Sequence, residues 1–268
     1  MSKPKLSASG ISTFLKSPKQ YYYRYVKQIE PSQPQVATFD HDKLLGILWA
    51  AYVDRFYKGM GEAENARMAM DAWMNGTEGW VPEKARLKLT TALENLMPQY
   101  YQQFNPQDGC RTATGSELQL ENDTFLGILD GLSEDGVVHE VKTTSRSPQL
   151  SEQLWKIQHS IQVKLYCVLA DAVGHCIEIG FKDPPHAILR APVVIVSTAE
   201  KTAWAQELEA LAERIHSLGD DHNNYPCHTD NCCIVSRYMV SMCPYSVLCD
   251  ESADSETMGI LFKKRERR

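Results

Sequence analysis

The sequence has no apolar run approaching the roughly 20 residues that span a bilayer, and its start lacks the apolar core of a secretory signal. These absences exclude a helical membrane protein and lead to the expectation of an intracellular, cytoplasmic one. There is no internal repeat and no low-complexity tract, which excludes a solenoid or an extended array. Net positive charge is missing too: the formal balance is −6, which argues against a nucleic-acid binder that works by overall charge. Acidic residues are themselves absent from Met1 to Ile29, a stretch with six basic ones (Lys3, Lys5, Lys16, Lys19, Arg24 and Lys27). The tail Lys263-Lys264-Arg265-Glu266-Arg267-Arg268 is basic as well. Such local charge fits a confined phosphate-binding face, and it also fits a solvated surface.

What is present suits a globular chain. Its 268 residues can bury a substantial core, and 43% hydrophobic with 23% charged content is ordinary for such proteins. Of eight cysteines, five (Cys227, Cys232, Cys233, Cys243 and Cys249) fall within 23 residues. Without a secretory signal, that clustering favours metal or cluster binding over disulfides.

Periodicity predicts helices through Ile11, Phe14 and Leu15 (capped by Ser7 or Ser9), from Pro18 to about Val26, and over 43–57, 63–74 and 82–104. Residues 30–42 read as a loop. Strands are expected at 117–121, 125–132, 137–142, 176–181 and 191–196, the last nearly all apolar and therefore central. One strong helix is expected over 154–172 and an amphipathic one over 198–218. A helical preface followed by β-β-β-α-β-β is α/β in character. In the helix after Pro18, Tyr21, Tyr22, Tyr23 and Tyr25 interleave with Lys19 and Arg24. Tyrosines in that setting can stack on bases while cations meet phosphates, or they can divide between core and surface.

The chain is organised around Gly127-Ile128-Leu129-Asp130 and Glu140-Val141-Lys142. Gly131 to Gly136 between them reads as the turn of a hairpin. Strand alternation puts Glu140 and Lys142 on one face and Val141 on the other. Two carboxylates and a lysine then meet at one end of a hairpin. Hard divalent cations take oxygen ligands, and a cation beside an ammonium suits phosphodiester hydrolysis. Taken alone, the same triplet also describes a solvated surface hairpin.

The surroundings bear on that choice. Leu6-Ser7-Ala8-Ser9 with Phe14, then Ser17-Pro18-Lys19 and the Tyr-rich run, form a first motif, and Gly46 with an aromatic-rich helix a second. The two hairpin motifs follow, then Gln162-Val163-Lys164-Leu165-Tyr166, and finally Cys243-Pro244-Tyr245 with Cys249. In that order the set resembles the PD-(D/E)xK nucleases, in particular the RecB-like branch of phage and CRISPR-associated exonucleases. The resemblance spans nearly the whole chain. It implies a restriction-endonuclease-like core: a central mixed β-sheet flanked by helices, with a helical N-terminal region and a cysteine-rich C-terminal segment. The corresponding divisions are a DNA-contacting region over 1–110, a nuclease core over 111–220 and a Cys-rich segment with its basic tail over 221–268.

Residue by residue, the resemblance implies Asp130 and Glu140 as ligands of Mg²⁺ or Mn²⁺, joined by the Val141 carbonyl, with Lys142 as the catalytic lysine. Gln162 and Tyr166, four apart on one helix face, would border the site and the DNA strand. Lys16, Lys19, Tyr22 and Arg24 are the candidate DNA contacts. Glu117 fits an outer carboxylate or an exposed edge-strand acid. In cluster-bearing relatives four cysteines hold a 4Fe–4S centre. Here Cys233, Cys243 and Cys249 keep a similar spacing, Cys227 or Cys232 would supply a fourth thiolate, and Ser17 stands at the N-terminal cysteine's place. Zinc, with His228 available, is the alternative, and loss of the cluster is another.

A further departure is Trp49, which stands where many relatives have a metal-binding histidine. His41 reads as surface, and His139 points away from the site by alternation. Three functions follow: a Mg²⁺- or Mn²⁺-dependent exonuclease acting on DNA ends or single strands; a catalytically inactive DNA-binding module of a recombination or packaging assembly; or a cysteine-rich redox or zinc protein. Under the first, Lys142→Ala abolishes cleavage and leaves folding nearly intact. Digestion polarity and oligomeric state are not fixed by these residues.

Overall fold

The computed structural model describes residues 4–31, 41–77, 81–104, 117–145, 149–226, 245, 248 and 262–265. In chain order these form β1 (Leu6–Ser7), α1 (Ala8–Lys16), α2 (Pro18–Tyr21) with a π-helical turn over Tyr22–Val26, and β2 (Ile29–Pro31). Three helices follow: α3 (His41–Tyr57), α4 (Glu62–Thr77) and α5 (Glu83–Gln103). Next come β3 (Leu118–Glu121), β4 (Phe125–Leu129), β5 (Gly131–Leu132), β6 (Val137–Thr144), α6 (Leu150–Gln158) and α7 (Ile161–Leu169). The remainder is β7 (Gly174–Phe181), β8 (Ala187–Arg190), β9 (Val194–Ile195), α8 (Thr198–Ser217) and β10 (Phe262–Lys264).

The chain divides into two compact units, Met1–Phe39 with Glu207–Arg268, and Asp40–Gln206. These divisions differ from sequence boundaries at 110 and 220, because each end of the chain binds the other. In the first unit Ser7 caps α1 by accepting from the Gly10 amide (3.2 Å), and Ser17 caps α2 by accepting from that of Gln20 (3.2 Å). Phe14, Tyr21, Tyr22 and Tyr23 are buried. Tyr22 Oη donates to the Asp220 carbonyl (3.0 Å), and Tyr23 Oη to that of Leu248 (2.9 Å). Tyr245 Oη donates to the Ile29 carbonyl (3.0 Å), and β2 pairs antiparallel with β10. The Tyr-rich helix is therefore the seam of this unit.

In the second unit, one sheet runs β5-β6-β7-β8, with β9 also on β7. The β6–β7 pair is parallel and the other pairs are antiparallel, so the sheet is mixed. Alternation sorts its side chains. His139, Val141, Glu178 and Arg190 share one face; Glu140, Lys142, Ile177 and Ile179 share the other. The first face carries the α3–α5 core, with Trp49, Tyr52, Leu93, Leu96, Tyr100 and Val141 in one buried cluster. Helix α7 covers the second. A separate hairpin joins β3 to β4.

Two expectations need correction. The helix over 154–172 is two helices, because Ser160 leaves helical geometry to cap α7, accepting from the Val163 amide (3.3 Å). The apolar stretch over 191–196 is an edge: β9 has two residues, and Ile195 is 70% exposed. Its valines read as core by composition, yet β9 meets β7 only at Gly174 and His175, and Val193, Val194 and Ile195 stay exposed.

His175 is buried on the second face, opposite Val138 and Val194, and neither ring nitrogen has a hydrogen-bond partner among the described residues. Burial, helped by nearby His159, pulls its pKa down to about 4. The folded chain thus resists a proton that the unfolded chain accepts near pH 6.5. Stability is full above that pH and falls between about 6.5 and 4, by roughly 2–3 kcal/mol. His175→Leu is expected to flatten denaturant-measured stability across this window; an unchanged slope would assign it to other groups.

Candidate active site

Asp130 is the hinge between two strand pairings. In β3–β4, Leu118 lies opposite Leu129, so the next step sets Glu117 against Asp130, and the Glu117 amide donates to the Asp130 carbonyl (3.4 Å). In β5–β6, Gly131 lies opposite His139, so the next step sets Asp130 against Glu140. Directly opposed residues have Cβ atoms about 5 Å apart. The register therefore brings together two acids that stand ten positions apart in the chain.

Asp130 Oδ2 accepts from the Val141 amide at 2.7 Å, which pins its carboxylate to the edge of β6. In an extended residue the N–H and C=O share one edge, so the Val141 carbonyl lies on that same edge. Glu140 is fully buried, and Lys142 Nζ donates to its Oε1. Lys142 Nζ also donates to Gln162 Oε1 (3.2 Å), whose Nε2 donates to Tyr166 Oη (3.2 Å). The structure thus joins Asp130, Glu140, Val141, Lys142, Gln162 and Tyr166 in one continuous arrangement.

Charge states follow from the surroundings. Burial lowers the Lys142 pKa, but the Glu140 and Asp130 carboxylates outweigh it and the net shift is upward, so the lysine stays an ammonium. Burial first, then Glu140, Asp130 and Glu117, push the Tyr166 phenol up, so it stays protonated. Its oxygen takes the Gln162 hydrogen bond and its proton remains available to donate.

Gly127 explains how Tyr166 reaches this position. A Cβ there would lie 3.0 and 3.1 Å from the Tyr166 ring and 3.1 Å from Leu169 Cδ1, so the ring rests on the glycine backbone. Gly127→Ala is expected to shift the ring, costing about 1–3 kcal/mol. Displacing Gln162 and Lys142 with it should slow cleavage by roughly 10- to 100-fold. Thermal melts and rate measurements on the same preparation check both; wild-type values in each would mean the ring moves freely.

Among the described residues no group of three or more His, Cys, Asp or Glu side chains is arranged to hold a metal ion. The pair with the Val141 carbonyl offers oxygen atoms only, a donor set that suits Mg²⁺ or Mn²⁺ rather than a soft metal. Trp49 takes no part. Its indole lies 3.2 Å from where a Gly180 Cβ would be, on the face of the sheet away from Glu140 and Lys142. His139 is on that face too, its Nδ1 3.1 Å from Glu178 Oε1. His41, expected in a loop, opens α3.

The four candidate DNA contacts divide. Lys16 is exposed and Arg24 half-buried. Lys19 is buried and its Nζ donates to the His222 carbonyl (2.8 Å), while the buried Tyr22 bonds Asp220. The polar ends of these two serve the interior of their unit. The expected cluster residues Cys227, Cys232, Cys233, Cys243 and Cys249, with His228, lie outside the described residues. Cys167 and Cys176 are buried; the Cys176 thiol donates to the Ala191 carbonyl (3.1 Å), and burial pushes Cys167 up to about 12.

No curated protein matches the chain. Among solved structures, a "putative exonuclease" from Eubacterium rectale is similar at TM-score 0.51 and 12% identity, over 81% of this chain and 82% of that one, which shows a shared fold. The structure of SSO0001 aligns over 91% of this chain and 98% of that one at 13% identity, but its TM-score of 0.31 carries no argument. The model of the PD-(D/E)XK nuclease superfamily matches residues 5–250. With that match over most of its length, the chain belongs to the PD-(D/E)XK nuclease superfamily.

Proposed function

We propose that the chain is a Mg²⁺- or Mn²⁺-dependent deoxyribonuclease, acting as an exonuclease on DNA ends or single strands. The observation that carries this reading is the register opposing Asp130 to Glu140, with Lys142 Nζ on both Glu140 and Gln162. Asp130, Glu140 and the Val141 carbonyl would hold the cation, which supplies Lewis-acid polarisation of a phosphoryl oxygen and a water made more acidic. Lys142, held as an ammonium, orients the attacking water and offsets charge growing on the phosphate. Gln162 keeps Lys142 aimed, and the Tyr166 hydroxyl donates toward the strand. Lys16, which is exposed, and Arg24, which is half-buried, would meet phosphates.

The alternative of an inactive DNA-binding module draws on Trp49, which stands where many relatives have a metal-binding histidine. That residue packs on Gly180 across the sheet from Lys142, so its identity leaves the carboxylates and the lysine unaltered, which favours the active enzyme. A time course on end-labelled, circular and single-stranded DNA, with Mg²⁺, Mn²⁺ and EDTA arms, tests the proposal. Metal-dependent release of short products from ends, with circles spared, is the expected pattern. Cleaved circles would refute exonuclease action, and intact DNA in every arm would refute the nuclease.

A further inference from the structure

Helix α6 stands directly before α7 yet buries none of its residues, although it carries Leu154, Trp155 and Ile157. Trp155 is 58% exposed and is the sole exposed Trp, Tyr or Phe among the described residues. Its indole is stacked on His159, with ring centroids 4.5 Å apart and planes 24° from parallel. The stack is held in place, because His159 Nδ1 lies 2.8 Å from the Trp155 carbonyl oxygen. An indole fixed against a second ring and open to solvent is ready for a third ring.

We propose that the Trp155–His159 stack is a platform for an unpaired base of single-stranded DNA, seated beside the Asp130–Glu140–Lys142 site. The assignment rests on the nuclease reading and adds which strand form is gripped and by what. Position supports it: chain geometry keeps the Trp155 Cα within about 19 Å of that of Gln162, a few nucleotides of strand at 3.4 Å per base. Charge supports it as well. Helix α7 begins between the stack and Gln162, with Ser160 as its cap and no acid in its first turn. Its positive end thus lies, along the chain, between the stack and Gln162, where a backbone phosphate next to a stacked base would be favoured. A duplex buries its bases in its own stack, so the platform discriminates single strands and frayed ends from paired DNA.

The experiment measures binding of the full chain to a fluorescent oligothymidylate and to a blunt duplex of equal length in EDTA, with the DNA checked for integrity afterwards. Trp155→Ala is expected to weaken the single-strand complex by about 5- to 150-fold, the worth of one base–aromatic stack, and the duplex complex by less than about twofold. Trp155→Phe should recover most of the loss. Unchanged single-strand affinity, or equal weakening for both DNAs, overturns the platform. Parallel cleavage by wild-type chain in Mg²⁺ keeps the claims apart: no cleavage with a normal Trp155 effect defeats the nuclease reading alone, and normal cleavage without that effect defeats the platform alone.

Discussion

Lys142→Ala is expected to slow DNA cleavage by about 10²–10³-fold, the usual loss when a preorganised donor is removed from a developing negative charge. The variant should also be less stable than a lysine on a solvated hairpin would suggest. Glu140 is fully buried, and Lys142 Nζ donates to its carboxylate. Stripping one partner from a fully buried pair costs about 3–5 kcal/mol. The Lys142 side chain is 36% exposed, so water replaces part of what is lost, and about 1–2 kcal/mol is expected. Denaturant melts and end-labelled cleavage should show both losses. An unchanged cleavage rate would remove Lys142 from the chemistry and the present site with it.

Glu178→Gln is expected to be the more damaging substitution for folding. On the sheet face away from Lys142, the Glu178 carboxylate takes the Tyr100 hydroxyl (2.6 Å), His139 Nδ1 (3.1 Å) and, at 3.5 Å, Arg190 Nη2. Arg190 also donates to Tyr57 Oη (2.8 Å) and lies over the Phe104 ring at 3.9 Å. Removing the charge takes a fully buried carboxylate away from its three donors, Arg190 (18% exposed) among them, at a cost of about 3–5 kcal/mol.

The same group predicts the acid limb of the stability curve. Burial raises the Glu178 pKa, but the His139 hydrogen bond and Arg190 overcome it and bring it down to about 2. Because the folded value lies below the unfolded one, the contribution is present above about pH 4.5. It is lost as pH falls towards 2 and amounts to about 3 kcal/mol. Glu178→Gln should therefore be less stable at neutral pH and nearly insensitive to acid in that window. A variant as stable as wild type at pH 7 would show that the buried network is neutral to folding.

The geometry of the candidate site was legible because it is local. Asp130 and Glu140 are brought together by a turn of a few residues, and Lys142 follows from two-residue alternation. Gln162 and Tyr166 follow from a four-residue helical spacing. What periodicity cannot resolve is competition between equally good partners. The Tyr21–Tyr23 run had the composition of a nucleic-acid surface, but the same rings close a seam with Asp220, Leu248 and Tyr245, more than 190 residues away in the chain. Lys19 was spoken for in the same way by the His222 carbonyl. Val193, Val194 and Ile195 read as a central strand because apolarity reports burial only when a neighbour exists to supply it. Ser160 broke a helix that apolar spacing ran straight through, since one capping hydroxyl outweighs a weakly periodic link. Gly127 was visible as a motif residue, yet its steric role depends on Tyr166, which arrives from a helix nearly forty positions later.

The most direct measurement of the central claim is Mn²⁺ binding to crystals of the full chain, read by anomalous scattering. The account predicts an ion touching the carboxylates of both Asp130 and Glu140, with Lys142 beside it, and loss of that ion in Asp130→Asn. An ion held elsewhere, or two carboxylates that fail to share one at saturating Mn²⁺, would contradict it.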